Sequence, residues 1–207
     1  MADAAPTGTL LGVLVRVNRV IDAFARGMSR AAGWMFVLCA LFITLEVVAR
    51  KFFGFSSQST TELSGYLLAF GMAWGLAGAL EARTHVRVDV FIQRVRPGLR
   101  RYLHLVAIAL LAVFAGFIAW GAWQLTMESW DFQATDISAL KTPLVIPQGI
   151  WTFGIVVFFV MVLARLVEVV ARLGNDDIAA IERLTGPRTF NEEAAEALDA
   201  IGAPPRA

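Results

Sequence analysis

Few residues of this chain could do chemistry, and their types and spacing exclude most catalytic sites. The only cysteine is Cys39 and the only histidines are His85 and His104, so no Cys/His cluster can hold zinc. A haem between membrane helices needs histidines that face one another, which these two positions do not offer. The sequence also lacks a phosphate-binding GxxxxGK[ST] loop and a GxSxG nucleophile motif. We therefore expect no catalytic residue, no cofactor, no metal site and no enzyme activity.

Three charged residues flank a short turn and are candidates for polar contacts. Glu46 and Arg50 are four residues apart and share a helix face, while Glu62 follows the turn. Charges near membrane depth are costly and normally face protein or water, where they find a partner. One alternative is that Arg50 and Glu62 bind polar groups in this chain or in a larger subunit. The other is that the charges lie among lipid headgroups, with Arg50 snorkelling.

A second candidate is the run His85-Val86-Arg87-Val88-Asp89, which lies in a segment dense with charge. Asp89 could pair with His85 or with a nearby arginine. The functional interpretation is a docking element that holds one end of a helix bundle. The alternative is an ordinary solvated loop, in which exposed ion pairs contribute only about 0–1 kcal/mol.

The elements that must position these residues are four long apolar stretches, approximately Ala31–Phe53, Leu63–Leu80, Leu103–Met127 and Thr142–Leu173. A bilayer core about 30 Å thick needs ~20 helical residues. Hydrophobic residues make up 57% of the chain and charged residues only 17%, below the roughly 25% of average soluble domains. The sequence therefore predicts an all-α membrane protein with four transmembrane helices.

The distribution of Lys and Arg predicts the orientation of these helices. Fifteen of the 18 basic residues fall before the first span, between the second and third, or after the fourth, and the exceptions are Arg50, Lys51 and Lys141. The positive-inside rule then places both termini and the middle loop in the cytoplasm. The basic segments are explained by a membrane surface, so we expect no nucleic-acid partner.

An amphipathic helix is predicted before the first span. Apolar residues there follow a 4-3-4-3-4 spacing, and the charged residues lie on the opposite face; the apolar set is Leu10, Leu14, Val17, Ile21, Phe24 and Met28, and the charged set is Arg16, Arg19, Asp22, Arg26 and Arg30. Such a helix suits the membrane interface, with its arginines toward anionic lipid headgroups. Packing against a partner protein is the alternative. This division predicts a tail and interfacial helix over 1–30, a four-helix domain over 31–173 and a cytoplasmic tail over 174–207.

Two further sets of residues suggest contacts. Gly71 and Gly75 form a small-residue face on the second span, which lets another helix approach closely. The acidic and aromatic residues Glu128, Trp130 and Asp131 begin the longest segment on the non-cytoplasmic side. Their placement makes them candidates for contact with a soluble protein on that side of the membrane.

Several motifs, in order along the chain, resemble the small membrane subunit of tripartite ATP-independent periplasmic (TRAP) transporters, the DctQ-like family. The similar pieces are Glu46–Arg50 at the end of the first span, Phe53-Gly54-Phe55-Ser56, Thr61-Glu62-Leu63-Ser64, His85–Asp89 and Thr142–Pro147. The resemblance covers roughly residues 30–173. The chain departs from the family before the second span, where it reads Ser59-Thr60-Thr61-Glu62, and at Arg96-Pro97.

This resemblance implies a function in a multi-pass protein of the bacterial inner membrane. Such subunits accompany a larger, DctM-like membrane subunit that carries the substrate and ion sites and moves as an elevator. A periplasmic binding protein delivers the substrate, typically a small organic acid or related solute. The small subunit then serves as a scaffold. The alternatives are the four-span subunit of a tripartite tricarboxylate transporter and an unrelated membrane accessory protein.

Overall fold

The computed structural model describes residues 6–57, 59–82, 97–138 and 140–174 of the chain. Within these ranges four α-helices account for nearly all of the structure: α1 is Pro6–Phe53, α2 is Thr60–Glu81, α3 is Pro97–Asp131 and α4 is Val145–Leu173. All four contain segments long and apolar enough to cross a membrane. The prediction of an all-α protein with four transmembrane helices is confirmed.

Helix α1 continues without interruption through residue 30, where the sequence had suggested a boundary between an interfacial helix and the first span. Its 48 residues extend over about 72 Å, more than twice the thickness of a bilayer core. The interior of α1 contains no proline, and its glycines are isolated, so nothing in the sequence breaks the helix. The helix ends at Phe53 because Gly54 takes the left-handed conformation, with φ +65°.

A heptad pattern describes the buried side of α1. Asn18, Ala25, Ala32, Cys39 and Glu46 are seven residues apart and all are buried, so they form one seam along the helix. The small residues in the middle of the seam let α2 approach closely, as is usual where membrane helices pack. The two polar residues stand at its ends.

Helix α4 is the centre of the architecture, because it contacts each of the other three helices. Helices α1 and α2 pack on each other and on α4. The backbone of α3 approaches α4 alone: within the described residues, no Cα atom of α3 lies within 8 Å of α1 or α2. Its buried face combines Ile108 with a stripe of small residues, Ala112, Ala115, Ala119 and Ala122, whereas Val113, Phe114 and Phe117 are exposed.

The connection between α3 and α4 folds back on itself. The backbone N–H of Asp136 donates to the carbonyl of Thr142 at 2.9 Å, and the N–H of Leu144 donates to the carbonyl of Ala134 at 2.9 Å. Helix α4 then begins at Val145 and accommodates Pro147 in its first turn, where a proline removes no needed hydrogen bond. We call this connection, residues 132–144, the hairpin loop; Ala139 within it lies outside the described residues.

Candidate functional site

The polar side chains of the described helices gather at the two ends of the bundle. The Glu168 end contains the N-terminal half of α1, the end of α2 and the end of α4. The Glu46 end contains the end of α1, the start of α2 and the hairpin loop. Between them, residues 31–45, 63–80, 102–127 and 142–164 contain no Asp, Glu, Lys or Arg.

At the Glu168 end, one buried carboxylate is held by side chains from two helices. Glu168 on α4 is 2% exposed. Its Oε1 accepts hydrogen bonds from Arg172 Nε at 3.0 Å and Nη2 at 2.7 Å, one helical turn away. Its Oε2 accepts a hydrogen bond from the side-chain amide of Asn18 on α1. The carboxylate is therefore satisfied on both oxygens, as a charge buried among helices must be.

A second ion pair continues this network. Arg165 Nη2 donates to Asp22 Oδ1 at 2.6 Å, while Arg165 Nη1 lies 3.8 Å from Glu168 Oε2. Two acids and two arginines thus form a neutral group that joins α1 to α4. We call Asn18, Asp22, Arg165, Glu168 and Arg172 the Glu168 cluster.

Helix α2 is tied to the same end by a more exposed pair. Arg26 Nη1 on α1 lies 3.0 Å from Oε1 of Glu81, the last residue of α2. The Arg26 side chain is 49% exposed, so water screens this pair more than the Glu168 cluster.

At the Glu46 end, Glu46 organises the turn between α1 and α2. Its Oε1 accepts hydrogen bonds from Ser56 Oγ at 3.0 Å and from the backbone N–H of Ser57 at 2.9 Å. Arg50 Nη2 lies 3.5 Å from the same oxygen. One carboxylate therefore holds the chain as it reverses direction after Gly54.

Glu62 belongs to a separate group that fastens the hairpin loop to α2. The Tyr66 hydroxyl lies 3.0 Å from Glu62 Oε1 and 2.9 Å from Asp136 Oδ2. Ser138 donates its hydroxyl to Glu62 Oε2 and its backbone N–H to Asp136 Oδ1 at 3.2 Å. A phenol has one hydrogen to donate, so the two carboxylates share it.

Buried hydroxyls link α3 and α4 inside the bundle. Thr126 Oγ1 and Thr152 Oγ1 are 2.8 Å apart, and both side chains also reach the backbone carbonyl of Ala122, at 2.9 Å and 3.1 Å. The two buried hydroxyls therefore find hydrogen-bond partners within the protein, which lipid acyl chains could not provide.

These contacts join helices, and they offer no arrangement for transforming a substrate. The described part of the chain holds no group of three His, Cys, Asp or Glu residues that could bind a metal ion. The buried carboxylates of Glu46 and Glu168 are both engaged by donors from the chain itself.

Comparison with protein families then decides which kind of membrane protein this four-helix chain is. The family model described as the DctQ component of tripartite ATP-independent periplasmic transporters matches residues 39–172, more than half of the chain. The chain belongs to this DctQ family. Comparisons with curated proteins and with solved structures found no match. The resemblance inferred from the motifs is confirmed, and the DctQ family is a component of transporters rather than a family of enzymes.

The matched range divides the Glu168 cluster of this DctQ chain. Arg165, Glu168 and Arg172 lie within residues 39–172, whereas Asn18 and Asp22 precede them. The match thus begins at Cys39, and about the first two thirds of α1 lie outside it.

The two glycines predicted to form a packing face on the second span differ in their surroundings. Gly71 is buried, and a Cβ atom there would lie 2.8 Å from the ring of Phe36 on α1. Gly75 faces open space, with nothing within 4 Å of such a Cβ. Helix α4 also approaches α2 closely at Gly154, where a Cβ would lie 2.5 Å from Trp74, and a Cβ at Gly78 of α2 would meet the side chain of Ser29 on α1 at a still shorter distance.

The structure brings only some of the charged residues predicted from the sequence into contact with one another. Arg50 pairs with Glu46, whereas Glu62 belongs to the group around Tyr66. Glu128, Trp130 and Asp131 are exposed at the end of α3. His85, Arg87 and Asp89 lie outside the described residues.

The Glu168 cluster was not predicted as a site from the sequence. Arg165 and Arg172 count there as orientation signals, Asp22 and Arg26 belong to the charged face of the predicted amphipathic helix, and Asn18 and Glu168 carry no predicted role. Two signals were present: Asn18 continues the heptad of small residues toward the N-terminus, and Glu168 interrupts an apolar helix between two arginines at helical spacing.

Proposed function

We propose that this chain is the non-catalytic small membrane subunit of a TRAP transporter and forms a fixed scaffold beside a larger, DctM-like subunit. The larger subunit carries the substrate and ion sites and moves as an elevator. A periplasmic binding protein delivers the solute, a small organic acid or a related compound. The family membership and the four apolar helices support this assignment.

One observation carries the scaffold role. The buried carboxylates of the described helices, Glu46 and Glu168, pair with arginines at the two ends, and the apolar segments between the ends contain no Asp, Glu, Lys or Arg. Transport pathways instead require broken helices or charge near the middle of the membrane. Among the described helices the backbone of α3 approaches that of α4 alone, so these helices form an open layer rather than a ring around a pathway.

The orientation is part of the same proposal. The Glu168 end faces the cytoplasm, with both termini, and the Glu46 end faces the periplasm of a bacterial inner membrane. The distribution of Lys and Arg supports this arrangement, since 15 of the 18 basic residues belong to segments assigned to the cytoplasmic side.

The proposal is tested by reconstituting the large subunit into liposomes with and without this chain. Uptake is measured with the cognate binding protein outside and a panel of labelled organic acids. We expect a stable complex of the two membrane subunits and uptake only when both are present. Equal uptake by the large subunit alone, or transport by this chain alone, would overturn the scaffold role.

Two contacts within the complex are also proposed. Glu128, Trp130 and Asp131 are exposed at the Glu46 end and are candidates for contact with the binding protein. A photo-crosslinker at Trp130 should capture that protein, and failure at all three positions would count against the contact.

The motif from His85 to Asp89 is proposed to dock the cytoplasmic side of the bundle, supported by the family resemblance alone. Replacing His85 and Asp89 by alanine should reduce co-purification of the large subunit. Undiminished recovery of the complex would instead favour an ordinary solvated loop.

A further inference from the structure

The arginines at positions 16 to 30 of α1 fall into two classes, one of which forms no ion pair among the described residues. Arg26 pairs with Glu81, as described above. Arg16, Arg19 and Arg30 are exposed, and none forms an ion pair among the described residues. Arg30 uses its Nε to donate to the backbone carbonyl of Arg26 at 3.3 Å, which leaves its other N–H groups available.

The three arginines lie on one side of α1. At 3.6 residues per turn, positions 16, 19 and 30 project within about 60° of one another. The buried seam that includes Asn18 and Ala25 lies on another side of the helix. Arg26, on nearly the same side, reaches Glu81, whereas the side chains of Arg16, Arg19 and Arg30 are exposed.

An exposed apolar stripe runs beside these arginines. Val17, Val20 and Phe24 are 46%, 71% and 50% exposed, and they occupy the helix face next to the arginines. A surface with cationic and apolar stripes side by side matches a phospholipid, whose phosphate and acyl chains need both. A free phosphate ion would leave the apolar stripe without a partner.

The position along the bundle agrees with a headgroup contact. Arg26 is level with Glu81, where α2 ends, so Arg16 and Arg19 lie beyond the end of α2. There α1 keeps α4 as its neighbour through the Asp22–Arg165 pair and an edge contact of the Phe24 ring with Phe153, whereas the side that carries Arg16 and Arg19 is exposed.

We propose that Arg16, Arg19 and Arg30 form a binding face for anionic phospholipid headgroups, beside acyl chains that lie along Val17, Val20 and Phe24. The charge of three unpaired guanidinium groups selects an anionic over a zwitterionic lipid. The site is independent of which solute the transporter carries.

The test is a lipid titration of the purified full chain in detergent, followed by native mass spectrometry with phosphatidylglycerol and with phosphatidylcholine. The variant R16Q/R19Q/R30Q should bind phosphatidylglycerol about tenfold to hundredfold more weakly and should lose the preference over phosphatidylcholine. The variant R16K/R19K/R30K keeps the charge and should retain most of the preference.

A matched control removes the same charge from the other end, in R50Q/K51Q/K141Q, and should leave the preference unchanged. Thermal unfolding of each variant establishes that the fold is intact. An undiminished preference in R16Q/R19Q/R30Q would overturn the proposal and assign this face to an acidic protein surface. An equal loss in the control variant would also overturn it, since the effect would then follow total charge alone.

Discussion

Asn18 donates its side-chain amide to the carboxylate of Glu168, a residue 150 positions later in the chain. This contact joins the first half of α1 to the end of α4. It adds a neutral donor to a carboxylate that already binds Arg172, so it helps satisfy the buried charge without adding another. The N-terminal half of α1 is thereby fixed to the bundle as a continuation of the first span.

Removing the carboxylate at the centre of the Glu168 cluster should destabilise the protein strongly. Glu168→Ala leaves Arg172 and Asn18 without their acceptor, and breaking a buried pair of this kind costs about 3 kcal/mol or more. The free energy of unfolding in detergent measures the loss. Glu81→Ala serves as the control, because its pair with the half-exposed Arg26 should contribute less than about 1 kcal/mol. Equal losses in both variants would contradict the special role of Glu168.

The geometry of the Asn18–Glu168 contact is tested by exchanging its two chemical groups. Asn18→Asp preserves shape but places two carboxylates together, so the melting temperature should fall. Adding Glu168→Gln restores an amide opposite a carboxylate and should recover part of the loss. If the double variant is no more stable than Asn18→Asp alone, the two side chains are not in contact.

The close approach of α2 and α4 makes a strong prediction about two glycines. Gly154→Ala would place a methyl group 2.5 Å from Trp74 and 3.1 Å from the backbone of Ala73, so it should cost about 1–3 kcal/mol. Gly75→Ala meets nothing within 4 Å and should be neutral or slightly stabilising. Both are measured as free energies of unfolding. If Gly75→Ala were more destabilising than Gly154→Ala, the two helices would not cross at Gly154.

The shared hydroxyl of Tyr66 predicts a rescue between two variants. Tyr66→Phe removes the only phenol hydrogen between Glu62 and Asp136, which leaves two carboxylates facing each other. The hairpin loop should then be cut faster by a protease added at the Glu46 end. Adding Asp136→Asn supplies an amide and should slow the cleavage again. Identical cleavage in wild type and Tyr66→Phe would show that this group does not hold the loop.

The difference between prediction and structure is clearest in α1. The apolar spacing from Leu10 onward predicted a helix, and the structure contains one. The division at residue 30 rests on the change from an amphipathic to a continuously apolar pattern, with lipid headgroups or a partner protein as the alternatives for the charged face. Asp22 and Arg26 instead reach Arg165 and Glu81, contacts that depend on which face of α1 meets two helices far along the chain.

The sequence by itself determined the number of spans and the family, because apolar length and local motifs are encoded in consecutive residues. It also indicated that charge lies toward the ends of the helices. Only the tertiary structure decided which charges pair, that the backbone of α3 approaches α4 alone among the described helices, and that α4 crosses α2 closely at Gly154. These features depend on the rotation and relative height of helices that are distant in sequence. If one helix slid by one turn along its neighbour, its side chains would meet different partners, although the hydrophobic pattern of its own sequence would be the same.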